Sequence, residues 1–413
     1  MRSFEAGVTK LLSTGANVTA SYSLTRTKTN LVFQTLNPSY FNNFIVDFRQ
    51  PFLQGFGIDF TRSEIEKNKL ERDNTIQLIS REIQDIIYDT EVAYWQLMAA
   101  RRAFTISARL IAWLEWIDYI AQERKYDIVQ AGLSSIKAII KARRAQFVEL
   151  SSELRNAEDN LKSKINDPDL NLSQDIEIIP TEPFAVVPLI LDQVGEVSDA
   201  LMNNPELRSA KLEIEKAKID VGVAKNQALP RLDAVFRYII DGLGGNADRA
   251  FSQLSESDFQ EYFISVEFEW PIGNRGPEAV LRAARLTLAQ AIAKHRASIE
   301  NLINSVYQVI RLLQSNFEQV KLQRDATYYA KTRRYHTRTR TYLYGSVTDL
   351  EFMLSTHTGL ADIRSELLNT ITNYQISLIN LERTKGTLLR YNNISLRGAD
   401  DQYYQKPYRP IGP

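Results

Sequence analysis

The chain has 413 residues, with 50 Lys or Arg balanced by 50 Asp or Glu, so no net field calls for nucleic acid or an anionic surface. It has no cysteine, which excludes disulfides, thiolate metal sites and a Cys-linked lipid anchor. No segment offers about 18 consecutive apolar residues, so no transmembrane helix is expected, and any crossing of a membrane must be made by strands.

Residues 1–57 form the first predicted unit. Met1-Arg2-Ser3-Phe4 opens on no apolar signal core. Within 8–50 the pattern reads strand, loop, strand. Val18, Ala20, Tyr22 and Leu24 alternate with Thr19, Ser21, Ser23 and Thr25, and Phe44, Val46 and Phe48 alternate with Ile45, Asp47 and Arg49. A period of two with one apolar and one polar face predicts half-buried strands. The Thr- and Asn-rich stretch from Thr25 to Tyr40, ending in Asn37-Pro38, predicts the loop between them. Pro51, Gly55 and Gly57 then let the backbone turn.

Residues 58–166 read as a helical hairpin. From Ile58 to Ala131 no Gly or Pro occurs, and Ile76, Ile79, Ile83 and Ile86 step by three and four before Tyr94, Leu97, Phe104, Ile111 and Leu114 continue the stripe. Such a rod would reach roughly 110 Å, far beyond a typical helix of about 11–12 residues. Gly132 predicts its C-terminus and the hairpin tip. Ser134 or Ser135 caps a returning helix that runs to about Ile165, where Asp167-Pro168 stops it.

Residues 167–203, with Pro168, Pro180, Pro183 and Pro188, read as a connector with little regular structure. Residues 204–230 form a short helix opening at Asn204-Pro205-Glu206-Leu207. In 231–276, Leu232, Ala234, Phe236, Tyr238 and Ile240 alternate with Asp233, Val235, Arg237 and Ile239. After the polar loop that opens at Asp241-Gly242, Tyr262, Ile264, Val266, Phe268 and Trp270 alternate with Phe263, Ser265, Glu267 and Glu269. Residues 277–390 form a second long hairpin, with a rod from Glu278 to Tyr344, a tip at Gly345 and a return to about Leu389. Residues 391–413 read as a loose polar tail.

The order strand, strand, rod, tip, return thus occurs twice. Phe48 and Pro51 correspond to Phe268 and Pro271 at an offset of 220, and the tips Gly132 and Gly345 at 213. The difference is one heptad, which a coiled coil can gain without rotating its seam. The same offset places the first-repeat counterpart of the 204–230 helix mostly before Met1, so a preceding helix is expected there.

The expected fold is therefore mainly α with a small β part, built from two tandem repeats. Four strands with one apolar face leave two open edges and an unburied face. Three copies closed into one barrel would give twelve strands, an even number within the range of outer-membrane barrels. Asp47, Arg49, Asp233, Arg237, Glu267 and Glu269 would then line a wet lumen while the apolar set faces lipid. A soluble sandwich that packs the same face on a core is the alternative, and rods about 100 Å long favour the duct.

At this point the chain resembles the TolC-like outer membrane efflux proteins over about residues 5–390. The residues that carry the likeness are Gly7-Val8-Thr9-Lys10-Leu11-Leu12-Ser13-Thr14-Gly15, Gln50-Pro51-Phe52-Leu53-Gln54-Gly55-Phe56-Gly57, Asn204-Pro205-Glu206-Leu207-Arg208-Ser209-Ala210, Leu229-Pro230-Arg231-Leu232 and Pro271-Ile272-Gly273-Asn274-Arg275. The resemblance implies a homotrimer whose strands share one barrel in the outer membrane and whose helices form a periplasmic coiled-coil tunnel. It implies a passive exit duct for a tripartite efflux pump or type I secretion system, working with a periplasmic adaptor and an inner-membrane transporter. In the family the hairpin tips gather into a gate. The positions that match its acidic residues are Ala138 and Glu351, and the position that matches its Arg is Val347. Of these Glu351 keeps the expected chemistry, with Asp349 a nearby candidate for the same work.

Lys331-Thr332-Arg333-Arg334-Tyr335-His336-Thr337-Arg338-Thr339-Arg340 places a basic cluster, with Arg333, Arg334, Arg338 and Arg340, beside the second tip. It reads either as a solvated helix face or as a surface that docks an acidic adaptor or biases the entrance toward anions. His295, His336 and His357 are too scattered for a metal site, and Trp95, Trp113 and Trp116 read as packing residues. No nucleophile elbow or phosphate loop occurs, so neither catalysis nor a cofactor is expected. The competing function is a soluble or periplasmic coiled-coil scaffold without a pore.

Overall fold

The computed structural model describes residues 1–30, 34–123, 130–170, 176–183, 186, 191–344 and 347–395. It divides into two compact units, Met1–Thr75 with Ser209–Ala297 and Ile76–Arg208 with Ser298–Pro413. The helices, in chain order, are α1 (Ile58–Glu123), α2 (Gln130–Ile165), α3 (Gln193–Asn203), α4 (Pro205–Gln227), α5 (Ala247–Glu256), α6 (Arg275–Tyr344), α7 (Val347–Lys385) and α8 (Leu388–Tyr391).

The first unit is organised by an antiparallel sheet in the order β1 (Arg2–Leu11), β2 (Asn17–Thr27), β3 (Ser39–Pro51), β4 (Arg231–Gly244) and β5 (Phe259–Glu269). Its register aligns the alternation of every strand. Ala20 lies opposite Val46, Val46 opposite Tyr238 and Tyr238 opposite Tyr262, which collects the apolar residues on one face. The opposite face carries Thr19, Asp47, Arg237 and Phe263 in the same cross-strand row.

The sheet holds five strands where the alternation predicts four. β1 is the addition, and it stands where the repeat arithmetic expects a helix. Phe4 pairs with Leu24 and Val8 with Ala20, so β1 continues the apolar face. Arg2, Glu5, Gly7 and Lys10 interrupt the pattern in a stretch this short, which is why it does not read as a strand. β1 is exposed along its whole length, and it forms one edge of the sheet as β5 forms the other.

The loop predicted after Asp241 contains α5. Asn246 caps it, its Oδ1 accepting from the Arg249 amide at 2.9 Å. Gly242 permits the close approach, since a Cβ there would lie 2.2 Å from the Ala250 carbonyl oxygen. The buried Asn42 amide donates to the carbonyls of Gly242 at 2.8 Å and Ala250 at 3.1 Å.

The turn after β3 is fixed by backbone that only glycine adopts readily. Gly55 and Gly57 have φ of 85° and 110°. The Gly55 amide donates to Asn226 Oδ1 at 2.7 Å, and Asn226 Nδ2 donates back to the Phe56 carbonyl at 3.0 Å. After β5, Gly273 (φ 83°) and Asn274 (φ 29°) make the matching turn, and Asn274 Nδ2 donates to the Ala228 carbonyl at 2.8 Å. The motifs that carry the resemblance thus hold the passages between strand and helix.

In the second unit α1, α2, α6 and α7 supply the core. Leu110, Leu114, Ile117 and Ala121 of α1 pack with Ile136 and Ile140 of α2 and Leu350, Met353 and Leu354 of α7. A second cluster joins Ala200 of α3, Val306, Ile310 and Leu313 of α6, and Ile371 and Tyr374 of α7. Each fully buried Leu or Ile contributes about 1.5–3 kcal/mol.

The rods depart from expectation at their ends. Among the described residues α1 runs 66 residues from Ile58 to Glu123 and α2 runs from Gln130, so Gly132 is helical where the sequence predicts a tip. α6 has 70 residues and starts at Arg275, accepting Gly276 and Pro277 in its first turn, where a missing N–H is tolerated.

α7 ends at Gly386 (φ 78°) by a reciprocal pair of bonds, Gly386 N–H to the Arg383 carbonyl and Thr387 N–H to the Glu382 carbonyl, both at 2.9 Å. Among its described residues the predicted connector contains α3, capped by Asp192, and a 3-10 turn at Pro168–Leu170. The Pro-rich composition around it hides an 11-residue helix.

Candidate pore-lining and gate residues

Six polar-face residues singled out by alternation, Asp47, Arg49, Asp233, Arg237, Glu267 and Glu269, fall on one face of the sheet, and ion pairs join five of them directly. Arg49 Nη1 donates to Asp233 Oδ2 at 3.0 Å and to Glu267 Oε2 at 2.8 Å. Arg237 holds Asp47 Oδ2 through Nη2 at 2.6 Å and through Nε at 2.7 Å. Arg231 completes the group, with Nε on Asp233 Oδ2 at 2.8 Å and looser approaches of 3.9 Å to Glu267 and Glu269. Sequence reasoning missed Arg231, although its even spacing from Asp233 places it on the same face.

Asp233 is the centre of this cluster. Its side chain is 5% exposed, while the two guanidiniums it accepts from are 35% and 43% exposed. Four carboxylates face three guanidiniums along β3, β4 and β5, so the polar face is nearly neutral and cross-linked. The other face is different. Tyr262, Ile264, Val266 and Phe268 of β5 and Phe4 and Val8 of β1 all stand exposed. Tyr238 and Tyr262 lean together with ring centroids 4.9 Å apart. A contiguous exposed apolar face marks a surface made for another apolar phase.

The residues proposed for a gate belong to the second unit. Gly345 lies outside the described residues. Glu351 is exposed in the second turn of α7, and Asp349 lies in the first turn of that helix. Of the basic cluster, Arg333, Arg338 and Arg340 are exposed and Arg334 is half-buried. Arg333 stacks over Phe352 at 5.2 Å.

A grouping invisible in the sequence stands about 15 Å along α7 from its first residue. His357 lies flat on Trp113 of α1, with ring centroids 3.5 Å apart and planes 2° apart. Burial, then the charges of Arg334, Arg338 and Arg364, push the imidazole down to about 4, so it is neutral at pH 7. Its Nε2 is sealed from solvent without a partner. Burial, then repulsion from Arg334 and Arg109, also lowers Arg364.

Among the described residues no group of His, Cys, Asp and Glu could hold a metal ion, and no helix is long and apolar enough to cross a membrane.

Residues 197–387 match the family model described as outer membrane efflux protein. Among solved structures, the outer-membrane channel OprN aligns with TM-score 0.70 at 16% identity, covering 93% of this chain and 82% of that one. The open state of the Neisseria gonorrhoeae MtrE outer membrane channel aligns with TM-score 0.68 at 15% identity, covering 94% and 81%. The Campylobacter jejuni CmeC outer membrane channel aligns with TM-score 0.66 at 16% identity, covering 94% and 78%. No curated protein sequence matches.

Proposed function

We propose that this chain is a TolC-like outer membrane efflux protein, as the match of residues 197–387 to that family supports, and that three copies enclose a passive exit duct, with their sheets closed into one barrel in the outer membrane and their helices lining a periplasmic tunnel. The observation that carries the reading is the division of the sheet into an exposed apolar face and an ion-paired polar face. Strands of 10 to 14 residues match the roughly 9–11 needed to span a bilayer at a tilt. The duct does no bond chemistry. Its driving force comes from an inner-membrane transporter, coupled through a periplasmic adaptor in a tripartite efflux pump or type I secretion system.

Strand direction supports twelve strands over fifteen. In a ring of three copies all chains point the same way. β5 runs antiparallel to β2 and parallel to β1, since neighbours along the sheet alternate. An antiparallel seam, the usual pairing in such barrels, therefore joins β5 of one copy to β2 of the next and releases β1 from that edge. A flexible bis-maleimide should link Ser265→Cys to Ser21→Cys between copies and give a three-rung ladder on a denaturing gel. A ladder from Ser265→Cys with Gly7→Cys instead would reject this seam.

The primary test is mass and shape with and without detergent. A detergent-dependent trimer near 140 kDa, hollow in end view, supports the duct, taking 47.3 kDa per chain. A detergent-free monomer or solid rod favours the scaffold reading. The gate is assigned to the hairpin tips, with Asp349 and Glu351 as its acidic residues. Asp349→Ala with Glu351→Ala should raise single-channel conductance in planar bilayers, and an unchanged conductance removes them from the gate.

A further inference from the structure

Among the described residues the arginines around the stacked Trp113–His357 pair make no ion pair with a carboxylate. Arg334 and Arg338 are four apart on α6, Arg109 and Trp113 four apart on α1, and His357 and Arg364 seven apart on α7, so each pair shares one helix face. The ring stack ties α1 to α7 at this level. Arg334, Arg338 and Arg364 act electrostatically on His357, and Arg334 and Arg109 on Arg364, so positive charge carried by three helices bears on the level of the stack.

Among the described residues none of these four arginines has a carboxylate within ion-pair distance. Elsewhere in the same unit the pattern is the reverse. Arg143 holds both oxygens of Asp362 at 2.7 Å, Arg144 holds Glu115 at 2.9 Å, and Arg101 and Arg383 are each paired as well. Asp362, two residues before Arg364, is thus already committed to Arg143. Four like charges gathered without an acid repel one another and raise the free energy of the fold. The sealed Nε2 of His357 keeps the imidazole neutral and so withholds a fifth positive charge.

We propose that Arg109, Arg334, Arg338 and Arg364 form a binding site for a multivalent oxyanion of the phosphate or sulfate class, built against the Trp113–His357 stack. Guanidinium groups present paired donors that match the paired oxygens of such an ion, which a halide does not offer. Donors from three helices give the converging geometry that two adjacent surface lysines lack. Binding also offsets the repulsion, so the ion stabilises the level of the hairpins where α1, α6 and α7 meet. The site requires no pore, and its test is independent of whether the chain forms one.

The experiment is calorimetric titration of the full chain in detergent with sodium phosphate, ionic strength held constant with chloride. One saturable site per chain is expected. The double variant Arg334→Gln/Arg364→Gln should weaken it at least tenfold, whereas Lys331→Gln, an exposed cation of the same basic run, should change it less than twofold. With 3 histidines in the chain, ring-labelled His gives a second readout by NMR. Phosphate should move the His357 titration midpoint upward by about one unit, because a nearby anion favours imidazolium. Absence of saturable heat, or binding that survives the double variant, overturns the proposal. Should that variant fail to fold, an unmoved His357 midpoint in the natural chain overturns it equally.

Discussion

Replacing Asp233 by Ala separates the two ways of reading the polar face of the sheet. Asp233 is 5% exposed and accepts from Arg49 and Arg231 at 3.0 and 2.8 Å. Removing one partner of a buried ionic group costs about 3–5 kcal/mol, mostly through the charge left without compensation. Here both arginines are about two-fifths exposed, and Arg49 keeps Glu267 at 2.8 Å, so water and that second acid recover part of the loss. We therefore expect Asp233→Ala to destabilise the sheet by about 2–3 kcal/mol. Arg237→Ala breaks a pair whose arginine is 45% and aspartate 25% exposed, and Glu269→Ala removes only a 3.9 Å approach. Those two should cost roughly 0–1 kcal/mol. The assay is equilibrium urea unfolding in detergent, followed by the fluorescence of Trp270 at the end of β5. Equal losses for all three variants, or a loss below about 0.5 kcal/mol for Asp233→Ala, would refute the claim that Asp233 organises this face.

Three further outcomes follow from the second unit. Lys385 is 8% exposed between Glu196 at 2.8 Å and Glu382 at 2.6 Å, so Lys385→Ala should destabilise by about 3–5 kcal/mol and Lys385→Met by less, as measured by thermal unfolding. Gly386→Ala forces an L-residue to φ 78° and brings its Cβ to 2.8 Å from the Asn203 carbonyl oxygen. A loss of at least about 2 kcal/mol is expected, and an unchanged Tm would contradict the helix stop drawn above. His357 has a folded pKa of about 4 against an unfolded value of 6.5, so the unfolded chain takes the proton first and stability falls as pH drops through that window. His357→Phe should flatten the stability curve between pH 6.5 and 4.

Local rules made much of this fold legible before any coordinates. The strict alternation of Val18 to Thr25 and Leu232 to Ile240 places every one of those side chains on its correct face, because a period of two leaves a strand no freedom once one face is apolar. The start of α1 at Ile58 and the end of α2 at Ile165 follow from glycine and proline chemistry beside them. What escaped depends on tertiary context. β1 forms because β2 offers it an edge, α5 because Gly242 leaves room beneath Ala250, and α3 because Ala200 has a cluster to enter. Gly132 is helical in α2, which shows the limit of glycine as a stop signal. The candidate site divides in the same way. The polar-face set was readable from alternation, and Arg231 could have been read from its spacing to Asp233, whereas Arg109, Arg364 and the Trp113–His357 stack required packing between separate elements.

The pairing of β3 with β4 governs how this protein can be made. Pro51 faces Asp233 across that ladder, so everything from Phe52 to Leu232 must be synthesised before the centre of the sheet can register. Closing a flexible loop of that length costs about 5 kcal/mol of chain entropy beyond a constant, and contacts so distant in sequence form slowly. The local hairpins β1–β2–β3 and β4–β5 each form without that cost. The nascent chain therefore carries two separate ribbons, each with unpaired edges, until the intervening helices shorten the distance between them. That meeting, and not the growth of the rods, is the slow step expected in forming the sheet.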